Sequence, residues 1–134
     1  MDRNEELRQW FEKADHDLLA AEYLATMHYP RPDEIICVHC QQAAEKYLKG
    51  FLFQNNVEPP KIHNLQKLLG LCEELNAEFM TILHQCSVLN TFSIIPRYPD
   101  EFQITEGDAE KAIRYAAEVK DFVAKARETP CKTT

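Results

Sequence analysis

Residues Asp33 to Asn56, DEIICVHCQQAAEKYLKGFLFQNN, decide the fold. Ile36, Cys40, Ala43, Ala44, Tyr47, Leu48, Phe51 and Leu52 recur there at three- and four-residue steps, the stripe of a helix facing a core. Ile35, Val38 and Phe53 widen the stripe, which places this helix in the middle of a bundle. A polar line runs beside it, His39, Gln42, Lys46 and Lys49, again at steps of three and four. Chemistry, if this chain has any, belongs near that line. The plainer reading is a solvated helix edge.

Working outward, a first helix spans about Asn4 to Met27. Leu7, Phe11, Ala14, Leu18, Ala21 and Leu24 form its stripe, Trp10 stands beside it, and Asp17 points toward the bundle. Tyr29-Pro30-Arg31-Pro32 stops that helix, because proline lacks the amide donor and disfavours helix in the residue before it. Asp33 is the expected N-cap of the central helix. After Asn55-Asn56 and Pro59-Pro60, Asn64 caps a third helix over about Leu65 to Leu75. Asn76 caps a fourth over about Ala77 to Phe92. The stretch from Ser93 to Thr105 carries Pro96 and Pro99, which exclude regular helix. Thr105 or Asp108 caps the last helix, which runs to about Arg127 with Ala109, Ala112, Ile113, Ala116, Val119 and Val123 inward. The expected fold is an all-α antiparallel bundle of four main helices and one shorter helix. It forms a single domain over residues 1–128, with a disordered tail over 129–134.

Composition narrows the function. The 134 residues suffice for one domain with a real core. Three glycines, Gly50, Gly70 and Gly107, leave almost no material for glycine-rich phosphate loops. A formal charge of -7 argues against a chain coated for general nucleic-acid binding. Between Val38 and Cys72, however, four lysines face two acids, so a small basic site on an acidic body fits. The N-terminus lacks an apolar signal region, and no apolar run approaches a membrane span. Five cysteines without scaffold spacing point to reduced thiols and a cytoplasmic location. Cys37 and Cys40 form a C-x-x-C inside a helix with no second pair, so they read as buried packing residues and no metal or cofactor is expected.

His39-Cys40-Gln41-Gln42-Ala43-Ala44-Glu45-Lys46-Tyr47-Leu48-Lys49 resembles the second-helix signature of the HEPN domain family. Trp10, Ala14, Asp17 and Ala21 match its first helix. His63-x-Leu65-x2-Leu68-Leu69 and Arg97-Tyr98-Pro99 follow in the family's order, and the pieces together cover nearly the whole chain. The resemblance implies a bundle of four long helices and a fifth that forms symmetric homodimers. It also implies a link to nucleotide or RNA binding, and for many members a minimal nucleotidyltransferase partner in a toxin–antitoxin pair. A large subset are metal-independent ribonucleases carrying Arg-x4-6-His. This chain departs from that motif: the histidine positions after Arg97 are Phe102, Gln103 and Ile104, and no other arginine is followed by histidine at that spacing.

Three readings stand at this point. The first is a dimeric binding protein without catalysis, its contacts drawn from Arg97, Tyr98, His39, Gln42, Lys46, Lys49, His63 and Asp17. Arginine offers a planar fork for phosphate, and tyrosine a ring for stacking. The second is a ribonuclease whose general base, His39 or His63, comes from elsewhere in the fold. The third is an interaction module in which Arg97 only pins its loop to a carboxylate such as Asp17 or Glu45.

Overall fold

The fold was taken from a computed structural model, which describes residues 1–28, 30–93 and 104–129. All regular structure among them is helical. α1 is Arg3–Leu24, α2 Asp33–Gln54, α3 Leu65–Leu75, α4 Leu83–Asn90 and α5 Glu106–Glu128. The expected all-α bundle is what the chain forms. The central helix is α2, packed chiefly by α1 and α5, with α3 and α4 also against it.

Pair contacts give the directions. Asp17 meets His39, Asp15 meets Tyr47, Phe11 meets Gly50 and Arg3 meets Phe53, so α1 runs antiparallel to α2. Arg31 reaches Glu106 while Gln54 reaches Arg127, so α5 runs parallel to α2. Cys37, Cys40, Ala43, Ala44, Leu48 and Leu52 of α2 are fully buried. Phe79 wedges between the long helices, its ring centroid 4.6 Å from Phe51 and 4.8 Å from Phe122. Edge-on and tilted aromatic pairs of this kind add to area burial.

The helix ends follow from local chemistry. Asn64 accepts from the Lys67 amide, and Asn76 accepts from the Glu78 amide, as expected of both caps. Thr105 and Asp108 exchange hydrogen bonds in a capping box. α2 differs at its start: Pro32 is the flanking residue, and Asp33, inside the helix, accepts from Nε of Arg31 at 2.6 Å. Its carboxylate still favours the positive N-terminal end of the helix dipole. α2 stops where Asn56 adopts φ 66°, with Val57 N–H bonding Leu52 O and Asn56 N–H bonding Phe53 O. That is a Schellman ending with asparagine in the left-handed position. α1 stops at Leu24, ahead of the expected Met27. The fourth helix is a composite: Ala77–Ile82 is a 3-10 segment, α4 follows, and Thr91–Ser93 returns to 3-10.

Candidate functional site

Asp17 on α1 is buried, and the antiparallel register sets it against two residues of α2 one heptad apart. Its Oδ1 accepts from Nδ1 of His39 at 3.0 Å, and its Oδ2 accepts from Nζ of Lys46 at 2.5 Å. A carboxylate only accepts, so Nδ1 of His39 carries the proton of that bond and Nε2 is left for other partners. The side chains of His39 and Lys46 remain 31% and 29% exposed, against 11% for Asp17. The carboxylate is thus the buried base of a strip whose cationic and imidazole tips reach the surface. Gln42, half-buried, lies on α2 between the two.

Lys46 also lines a cavity of about 200 Å³ with Glu6, Gln9, Trp10 and Lys13 of α1. Trp10, Lys13 and Asp17 share a helix face, being three and seven residues apart. The sequence placed Trp10 beside the core stripe and gave Lys13 no part in a site. Their spacing to Asp17 was the available signal that all three point toward α2.

The remaining candidates gather around a second carboxylate. Glu45 accepts from Nζ of Lys49 and from Nδ1 of His63, each at 3.0 Å. Gln41 Nε2 donates to the carbonyl of His63 at 3.1 Å, which fastens the loop ahead of α3 to α2. Lys49 is only 8% exposed, while His63 is 78% exposed. Lys49 therefore leaves the polar line on which the sequence set it and becomes an internal partner of Glu45. His63 lies with Glu45, apart from the Asp17 pair to His39 and Lys46. Arg97 and Tyr98 lie outside the described residues, as does the expected 129–134 tail from residue 130 onward.

A larger groove of about 540 Å³ runs along α1 from Asn4 to Leu19. Its cations are already engaged: Arg8 pairs with Glu5 and Glu12, while Arg127 lies 3.6 Å over the Phe11 ring and donates to Gln54 Oε1 at 2.7 Å. The Asp17 strip is the better candidate.

The four cysteines among the described residues are packing residues. Cys37, Cys40, Cys72 and Cys86 are fully buried. Burial pushes the thiols of Cys37 and Cys86 up to about 12 and those of Cys40 and Cys72 higher still. A thiol held protonated is a poor metal ligand and a poor nucleophile.

Comparison with known proteins agrees with this architecture. The HEPN domain model matches residues 7–127. The crystal structure of ST0689, an archaeal HEPN homologue, superposes with a TM-score of 0.72 at 28% identity, covering 95% of this chain and 99% of that one. The crystal structure of TT1696 from Thermus thermophilus gives a TM-score of 0.73 at 29% identity, covering 93% and 98%. No curated protein matches. With the match spanning α1 through α5, this chain belongs to the HEPN domain family.

Proposed function

We propose that this HEPN protein binds a phosphate-bearing ligand, a nucleotide or an RNA end, along the strip between α1 and α2. The observation that carries this reading is the buried Asp17 carboxylate, which holds Lys46 and His39 side by side next to a cavity containing Trp10 and Lys13. An ammonium has three N–H donors, and Asp17 takes one from Lys46. The remaining two, with the Lys13 ammonium and the free edge of His39, suit an anionic group. Holding the side chains in place beforehand lowers the ordering entropy that binding costs. Arg97 and Tyr98 complete the proposal on their chemistry, as a phosphate fork and a stacking ring presented between Pro96 and Pro99.

Exposed Leu19 and Tyr23, four residues apart on α1, and Met27 beyond its end support a homodimer, and family membership supports action beside a minimal nucleotidyltransferase in a toxin–antitoxin pair. Titration of a mononucleotide into Arg97→Ala tests the loop's share. Binding should fall about tenfold, the worth of one charge-assisted pair, at unchanged melting temperature. A drop in stability with binding intact would instead make Arg97 a pin for its loop.

One observation favours the second reading, ribonuclease activity. An imidazole oriented through Nδ1 by a carboxylate, with Nε2 outward, is arranged as a general base. Incubation with mixed-sequence RNA in EDTA tests it. Intact RNA is the expected result; cleavage that disappears in His39→Ala would reverse the assignment.

A further inference from the structure

The cavity beside Lys46 contains more than a phosphate requires. Trp10, half-buried, lines it with an aromatic side chain, and Glu6 and Gln9 stand with it. A phosphate has no use for a ring, and a carboxylate at its site repels it. Glu6 forms no side-chain hydrogen bond or ion pair among the described residues. Gln9 directs its amide nitrogen to Oε1 of Glu5 at 3.4 Å, which leaves its carbonyl oxygen as the end with spare capacity. The Glu6 carboxylate and the Gln9 carbonyl oxygen are thus acceptors with spare capacity, beside the ammonium donors of Lys13 and Lys46. At about 200 Å³ the space is smaller than the ordinary range for a whole ligand and suits one ring system.

We propose that this cavity is a nucleobase subsite selective for guanine, with Trp10 as its stacking ring and Glu6 as the reader of the base edge. The proposal rests on the reading above that the ligand is a nucleotide. A carboxylate accepts two parallel hydrogen bonds and donates none. Guanine alone among the common bases sets two donors side by side, its ring N–H and its exocyclic amino group. Adenine and cytosine place an amino donor next to a ring acceptor, and uracil flanks its single N–H with two carbonyls. Each of those would turn an acceptor toward the Glu6 oxygens. With the base on Trp10, Lys13 and Lys46 are positioned on the cavity wall for the phosphate, whose other side meets His39.

Trp10 is the single tryptophan of the chain, so its fluorescence reports on this cavity directly. Guanosine monophosphate should quench it at a concentration about tenfold lower than adenosine monophosphate requires, the discrimination of one two-point contact. Guanosine without phosphate should quench more weakly, and inorganic phosphate should not quench. Glu6→Gln, and independently Glu6→Ala, should abolish the preference for the guanine nucleotide. Lys46→Ala should weaken both nucleotides and keep the preference. Equal quenching by the two nucleotides would overturn the proposal. So would calorimetric binding of a nucleotide with unchanged Trp10 emission, and that result would leave the phosphate-binding reading standing. Absence of any nucleotide binding by calorimetry would remove both.

Discussion

Two carboxylates of this bundle each hold one lysine and one histidine, and their surroundings give them different work. Asp17 is buried beneath partners whose tips reach solvent, so its pairs can be shared with a ligand. Glu45 holds a lysine that is itself buried, so that pair belongs to the interior. Removing one partner of a buried pair leaves the other charge without compensation. Glu45→Gln should therefore destabilise the protein by about 3 kcal/mol in urea unfolding, and the double change Glu45→Leu with Lys49→Met should cost less than the single one. The four buried thiols make a second claim at this scale. Their folded-state values lie above the ordinary value of 9.0, so folding holds protons that the unfolded chain releases. The resulting stability is fully present below pH 9 and is lost as pH rises from 9 toward 12. A urea midpoint that falls over that window, with native Cys37 and Cys86 resisting alkylation at pH 8, is the expected result. Asp17, His39 and Lys46 were legible in the sequence because His39 and Lys46 are seven residues apart and Asp17 borders a stripe. Lys49 was not. Ten residues beyond His39, at roughly 100° per residue, it has drifted about 80° around the helix, off the Asp17 side.

The long helices meet through small residues and specific ends. Gly50 of α2 leaves room for the Phe11 ring of α1: a Cβ there would stand 2.7 Å from the ring. The ring is held from its other surroundings by Arg127, 3.6 Å from its centroid, so it cannot retreat freely. Alanine at position 50 gains about 1 kcal/mol of helix propensity. Overpacking should outweigh that gain, for a net loss of roughly 1–2 kcal/mol by thermal or urea unfolding. A stabilised Gly50→Ala would show that α1 shifts at little cost. The caps at Asn64, Asn76 and Thr105 were legible because each is a side-chain acceptor just before an apolar period. The start of α2 was misread because Arg31 draws Asp33 away from capping. The 3-10 character of Ala77–Ile82 was hidden because its inward residues, Phe79 and Ile82, are spaced three apart, a step that 3-10 and α geometry both satisfy. The register of α1 on α2, which makes the site, is a property of two helices together and appears in neither period alone.

At the scale of the molecule, no helix among the described residues is long and apolar enough to cross a membrane. The protein instead leaves large apolar side chains in water along α1 and the start of α2: Leu19 at 61%, Tyr23 at 76% and Ile35 at 50% exposure. Leu19 and Tyr23, four residues apart on α1, share a face of the kind that interaction surfaces use, which supports the proposed homodimer. Light scattering across a dilution series should give a dimer at micromolar concentration, and Leu19→Glu with Tyr23→Glu should yield a folded monomer. A wild-type monomer would confine every site to one chain. The central claim, that the Asp17-anchored strip binds phosphate, is tested most directly by calorimetric titration of a mononucleotide into wild type and Lys46→Ala. The account predicts saturable binding to the wild type and an affinity at least about tenfold lower in Lys46→Ala, with a melting temperature within a few degrees of wild type. Unchanged binding together with a large fall in melting temperature would contradict it, and would make Asp17, His39 and Lys46 a staple between two helices.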